Sequence, residues 1–365
     1  MPISVLTSRL AAALCLAALV SGPAACARRE SIYVGVPALP PLPEQPDRLG
    51  PGEHRIHLHF QGYERSYVIH VPSGYRPDEA LPLVIMLHGA GAKARNTNRQ
   101  TNWSAVAEER RFAVVLPEGT AAIKSLPARF LANPQSWNDG SGRGPAARSN
   151  ENDVGFIHTV ITDAGSRVTI DLHRIYVAGF SNGASMAFRI AAELSNKIAA
   201  AGIVAGHYRL KGYTPARSVP LIYIVGTEDP LTPLDGGEIS LPWGLSMIQP
   251  PVRDTIAQWT RLLGCVREPD ETHKNGEVTL FAYQTCRGGG EVHYYLVEGM
   301  GHVWPGGDPM LPEWAVGRPS DAIDGSRVIW DFFSRHQLAP GVFPSWTPPH
   351  PGADHAQTVP AEPGG

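Results

Sequence analysis

Excess charge of one sign is what this chain has least of. Its 365 residues carry 31 Lys and Arg against 34 Asp and Glu, a formal net charge of −3 with 14 His counted neutral. No basic run or stripe interrupts it, which argues against a nucleic-acid partner. Cysteine is scarce, at four, and none stands at the C-x-x-C spacing of a common metal site. The apolar stretch near the start covers only Leu10 to Val20, short of the roughly 20 residues a membrane-spanning helix needs. No internal repeat at a fixed period is visible. Glycine and proline are plentiful instead, at 38 and 34, with proline gathered toward the two ends. Hydrophobic residues at 43% and charged residues at 18% supply a sizeable core between those ends, so disorder throughout is excluded.

Residues 1–27 read as an export signal. Arg9 precedes the apolar run, and Ser21-Gly22-Pro23-Ala24-Ala25-Cys26-Ala27 makes a small-residue exit. Ala24-Ala25-Cys26 resembles a bacterial lipobox, with Pro23 where that motif prefers a branched apolar residue. Lipidation of Cys26 and simple cleavage near Ala27 both stay open. The expected location is secreted, extracellular or periplasmic, with a lipid at Cys26 as the one route to a membrane. Residues 28–52 are a Pro-rich linker and 339–365 a Pro/Gly-rich tail expected to be disordered.

The middle, 53–338, alternates strand and helix signals and reads as one domain. Arg55–Phe60 and Ser66–Val71 alternate like a hairpin about Gln61-Gly62. Leu83–Leu87, Phe112–Leu116, Arg174–Ala178 and Leu221–Val225 are short apolar runs typical of buried parallel strands. Ala200–Val204 and Val292–Val297 are further strands. Helical periods fall near 98–110, 154–168, 183–195, 252–263 and 321–337. Such alternation predicts an α/β fold, a mostly parallel central sheet with helices on both faces. Ligands then collect at the carboxyl ends of the strands.

That rim carries the chemistry. Gly179-Phe180-Ser181-Asn182-Gly183 fits G-x-S-x-G between a predicted strand and a predicted helix. A nucleophile on so sharp a turn is strained and crowded, which calls for flanking glycines. Serine needs a base and an orienting carboxylate, in the chain order Ser, Asp/Glu, His. Asp229 lies just beyond Leu221–Val225, with Glu228 and Asp235 as competitors in its loop. His302 lies just beyond Val292–Val297. The backbone amides of Asn182 and Ala90 are the candidate oxyanion donors, with Gly91 next after Ala90. His88 reads as a structural hydrogen-bonding residue. Trp137, Trp243 and Trp304 are candidate pocket aromatics, Trp304 and Trp137 the chosen pair. The stretch from Pro117 to Asn150 is long for a structureless connection and reads as a lid or binding loop, or equally as a floppy insertion.

These motifs together resemble the secreted esterases grouped with polyhydroxybutyrate depolymerases and feruloyl/acetylxylan esterases, a branch of the α/β-hydrolases. The resemblance rests on Leu81–Gly89, Asn152–Phe156, Asp171–Gly183 and Gly301–Gly307. It implies Ser181, Asp229 and His302 as a catalytic triad. Two departures stand out: Ala184 where a second glycine is frequent, and Ser136-Trp137 where some members have Cys-Trp. Three functions compete. They are a serine esterase of feruloyl or acetyl esters on plant polysaccharide, a polyhydroxyalkanoate depolymerase or oligomer hydrolase, and a catalytically silent surface-binding protein. The first two act on polysaccharide-linked or polyester substrates and call for no cofactor and no metal. Cys265 and Cys286 are expected to pair as a disulfide. His54, His57 and His59 read as an exposed strand rather than a metal site.

Overall fold

The computed structural model describes residues 47–241, 244 and 246–340. The export segment with Cys15 and Cys26, most of the 28–52 linker, nearly all of the 339–365 tail, and Trp243 lie outside the described residues.

The chain opens with a hairpin, β1 (Gly52–Phe60) and β2 (Tyr63–Val71), turned at Gln61-Gly62. Then follow β3 (Leu81–Leu87), α1 (Ala94–Thr101), α2 (Trp103–Arg110) and β4 (Ala113–Pro117). The 117–150 stretch holds a small ribbon, β5 (Thr120–Ala121) with β6 (Gln135–Ser136), and a short helix, α3 (Gly144–Arg148). Next come α4 (Asp153–Arg167), β7 (Ile170–Phe180), α5 (Asn182–Glu193), β8 (Ala200–Val204) and β9 (Leu221–Gly226). A second ribbon, β10 (Gly237–Ser240) with β11 (Ser246–Gln249), precedes α6 (Val252–Leu263). The chain finishes with β12 (Glu271–Asn275), β13 (Val278–Tyr283), β14 (Val292–Val297), α7 (Glu313–Val316) and α8 (Gly325–Phe333).

One ten-stranded sheet runs β1-β2-β4-β3-β7-β8-β9-β14-β13-β12. From β4 to β14 every neighbouring pair is parallel, while both edges are antiparallel. The apolar runs form the parallel part because both their faces are covered. In β3, Leu83, Ile85 and Leu87 join a core with Phe156, Phe188 and Trp259 under α4, α5 and α6. Val84 and Met86 join the opposite core, with Trp103, Ile329 and Phe333 from α2 and α8. The expected layering is therefore present, with helices on both faces.

Some elements differ from expectation. The helix predicted over 98–110 breaks at Asn102, whose φ of 56° ends α1 and starts α2. Asn98 Oδ1 accepts from both the amide and the hydroxyl of Ser104 across that break, at 3.1 and 2.9 Å. The helix predicted over 321–337 is trimmed at its start by Asp324, which caps it by accepting from the Arg327 amide at 3.1 Å. The edge strand β12 is missing from the sequence reading because its residues are all exposed and polar. On β1, His57 Nδ1 faces Glu64 Oε1 at 3.0 Å across the hairpin.

Candidate active site

β7 delivers the chain to Ser181, which sits at φ 55°, ψ −119° immediately before α5. A non-glycine residue at positive φ is strained and persists only when its surroundings hold it. Here the Ser181 amide donates to Val204 O on β8, and its carbonyl accepts from the Ser185 amide, both at 3.0 Å. The glycines beside it are steric necessities. A Cβ on Gly179 would lie 2.2 Å from Gly183 O, and one on Gly183 would lie 2.3 Å from Leu87 O. α5 is thereby seated directly on the end of β3. Ala184 is accommodated because the facing residue, Gly206, has no side chain of its own: a Cβ there would meet the Ala184 methyl at 2.5 Å.

Asp229 leaves the end of β9 and His302 the end of β14; both are buried. His302 Nδ1 lies 2.9 Å from Asp229 Oδ2 and 3.0 Å from Oδ1. Asp229 Oδ1 also accepts from the amides of Leu231 and Thr232, at 2.8 and 2.7 Å. Those amides fix the carboxylate, and a carboxylate facing Nδ1 keeps the proton there, leaving Nε2 to act as a base. The competitor Asp235 stands exposed beside Arg253 instead. The Phe180 ring packs 4.9 Å from the His302 ring. Ser181 and His302 face one cavity of about 470 Å³, and so do Ala90 and Asn182.

The oxyanion candidates separate on hydrogen bonding. Gly91 N–H donates to Gln135 O at 2.7 Å, so it is engaged elsewhere, while Ala90 opens on the cavity. His88 stays behind that loop. Its Nε2 accepts from the Gly119 amide at 2.9 Å, which leaves Nδ1 to donate to Gly89 O at 2.8 Å. Burial lowers its pKa, against an opposing pull from Glu118, and keeps it neutral. The Asn182 side chain reaches the 117–150 loop, accepting from the Trp137 amide at 2.8 Å and donating to Asp139 Oδ2 at 3.1 Å.

Neither chosen tryptophan lines the cavity, a correction to the sequence reading. Trp137 is fully buried and its indole N–H donates to His88 O at 2.9 Å, so it props up the Leu87–Gly91 turn. Trp304 turns into the core, donating to Ser326 Oγ at 3.1 Å and packing edge-on against Trp103. The apolar wall comes instead from Phe130, Met247, Leu311 and Val316, and a polar wall from Arg143, His207 and Arg209. Sequence reasoning missed the polar wall although a signal existed: His207 and Arg209 follow the carboxyl end of β8, where ligands collect. The 117–150 loop supplies Phe130, Asp139 and Arg143 to this cavity. Away from the cavity, Cys265 and Cys286 are disulfide-bonded, tying the end of α6 to the chain before β14.

A family model described as Phospholipase/Carboxylesterase matches residues 71–255. Among curated relatives, the chain is 27% identical over 244 residues to Feruloyl esterase B of Piromyces equi, covering 66% of this chain and 42% of that protein. It is 28% identical over 350 residues to an esterase-named protein, NocK, of Nocardia uniformis subsp. tsuyamanensis, covering 87% and 96%. It is 26% identical over 254 residues to Poly(3-hydroxyalkanoate) depolymerase C of Paucimonas lemoignei, covering 65% and 58%. The chain thus spans less than half of the first relative and nearly all of the second.

Proposed function

The chain belongs to the phospholipase/carboxylesterase family, and from that premise we propose that Ser181, His302 and Asp229 hydrolyse carboxylic esters by two-step acyl transfer. His302 Nε2 takes the Ser181 proton as Oγ attacks the ester carbonyl. Asp229 holds the imidazole and stabilises its cation. The amides of Asn182 and Ala90 receive the oxyanion, each donor worth about 2.7–4 kcal/mol by comparison with other hydrolases. His302 then gives its proton to the departing alcohol, and water activated by the same nitrogen releases the acid. No step calls on a cofactor. The observation that supports this most is the pairing of His302 with both Asp229 oxygens at the wall of the cavity that Ser181 also faces.

The substrate class follows the relatives: feruloyl or acetyl esters on plant polysaccharide, as the feruloyl esterase likeness favours. Polyester is the second reading, favoured by the likeness to the hydroxyalkanoate depolymerase. Residues 1–27 export the chain, with Cys26 as the lipid attachment point or Ala27 near the cleavage site. Residues 53–338 form the catalytic domain between the linker and the tail. None of the described helices is long and apolar enough to cross a membrane.

Ser181→Ala is expected to abolish turnover of p-nitrophenyl acetate while the circular dichroism spectrum stays that of the wild type. Full activity in the variant would sink the assignment. Methyl ferulate and acetylated xylan, set beside a polyhydroxybutyrate clearing assay, then separate the two substrate readings.

A further inference from the structure

Of the three arginines lining the catalytic cavity, Arg143 and Arg209 are the ones held by hydrogen bonds, and neither has a carboxylate at ion-pair distance among the described residues. Arg209 follows β8; its Nη2 donates to Gln249 Oε1, and Gln249 in turn donates to Leu231 O at 2.9 Å. Arg143 comes from the 117–150 loop and its Nη1 donates to Ile248 O at 3.0 Å. Both therefore spend donors on neutral acceptors, which leaves their charges uncompensated by a bonded anion. The one acid on this wall, Asp139, makes no ion pair with either arginine and acts on Arg209 only at a distance: Oδ1 accepts from the Ser141 amide at 3.0 Å and Oδ2 from the Asn182 side chain. The Nε of Arg209 and the Nε2 of His207 are buried with no hydrogen-bond partner among the described residues. A buried polar atom left unmatched is costly and calls for an explanation.

The two guanidinium groups feel each other. Burial, and then Arg143, push Arg209 down to about 10, so it remains a cation at neutral pH. His207 does not add to the repulsion. Burial, then Arg209 and Arg143, take its imidazole down to about 3, so it offers a hydrogen bond and no charge. Two close cations in a partly enclosed pocket are stabilised by a planar anion, and the fork of an arginine matches a carboxylate.

We propose that Arg209 and Arg143 form a carboxylate-binding subsite inside the catalytic cavity, so that the preferred esters carry a second, free carboxylate. The subsite rests on the reading of this cavity as an esterase site and narrows its substrates. Two sources supply such a group: the acid end of a hydroxyalkanoate oligomer, and an acylated uronic acid on a polysaccharide.

Binding is measured on the full chain carrying Ser181→Ala, so that ligands are held and not consumed. The first probe pair is the linear dimer of 3-hydroxybutyrate as free acid and as methyl ester. The second is an O-acetylated methyl glucuronoside as free acid and as methyl ester. In isothermal titration calorimetry the free acid of at least one pair is expected to bind about 30-fold tighter than its ester. Adding Arg209→Met is expected to bring that ratio to about one, and Arg209→Lys to keep part of it, since a charge remains without the fork. Preference within the first pair assigns the subsite to polyester oligomers; preference within the second assigns it to acidic polysaccharide. Failure of both acids to bind, or a ratio near one before Arg209 is changed, overturns the subsite. So does a ratio that survives Arg209→Met, the result a merely structural role for Arg209 gives. Ser181-dependent turnover of p-nitrophenyl acetate is scored separately, so a failed esterase reading is told apart from a failed subsite.

Discussion

At the level of single residues, the site is held by contacts that leave little freedom. Asp229 makes three demands on its carboxylate: the Leu231 and Thr232 amides on Oδ1, and His302 Nδ1 across both oxygens. In Asp229→Asn, Oδ1 stays with the amides and an N–H₂ group turns toward His302. That favours the tautomer with Nε2 protonated, which cannot accept from serine. The expected loss is about 10⁴ in kcat with an unchanged fold, by the precedent of serine proteases, read from steady-state kinetics beside circular dichroism. Gly183→Ala drives a methyl into Leu87 O and His88 O. It is expected to cost about 1–3 kcal/mol of stability, seen as a lower urea midpoint, and to lower activity by lifting α5. Ser181 and the glycines were legible because a strained turn demands particular residue types at fixed spacing. Trp137 and Trp304 were misread because sequence shows that an indole lies near a site, while its rotamer decides whether it faces substrate or core.

At the level of elements, the loop from Pro117 to Asn150 shows how an irregular segment is pinned. Asn152 caps α4 by accepting from the Gly155 amide at 2.9 Å. Asp153, next to it, holds Arg65 of β2 at 3.0 Å and the Asn138 amide at 2.7 Å. Both members of that ion pair are almost wholly buried, with Arg65 also lying 3.7 Å over the Phe156 ring. One carboxylate thus joins β2, α4 and the loop. Asp153→Ala strands a buried guanidinium and is expected to cost about 3–5 kcal/mol, measured by denaturant unfolding. Increased proteolysis within 117–150 is its companion effect. The long apolar strands were legible because burial on both faces writes a continuous apolar run. The loop's ribbon, the split at Asn102 and the exposed strand β12 were not, since each depends on partners distant in sequence or on one residue's backbone angle.

At the level of the whole molecule, pH acts through a cluster far from the cavity. Glu291 lies 3.1 Å from His293 Nε2, 2.8 Å from His336 Nε2 and 3.2 Å from Arg335; neither imidazole is aligned as a straight hydrogen bond. Burial alone would raise the carboxyl, but the close His293 and His336 side chains and the Arg335 guanidinium outweigh it and hold Glu291 well below the usual glutamate range. A depressed folded-state pKa means fewer protons bound in the folded state. The stability from this group is therefore present above pH about 4.5 and is lost as pH falls below it. Glu291→Gln is expected to flatten the stability curve on its acid side, measured as urea midpoints between pH 3 and 6. An unchanged acid limb would show that the cluster is not what acid dissolves.

The strand order also decides where this molecule tolerates rebuilding. Ser181, the polar pair His207 and Arg209, Asp229 and His302 leave four strands that are immediate neighbours, β7, β8, β9 and β14. Their spacing is set by ladder pitch, about 4.8 Å per strand, and not by the length of polypeptide in between. The 47 positions from the start of β10 to the end of β13 accordingly form a detour between fixed posts, β9 and β14. Hairpins could be lengthened, shortened or exchanged along the β12 edge while the reacting atoms keep their mutual distances, which makes that edge the natural place to graft a foreign module.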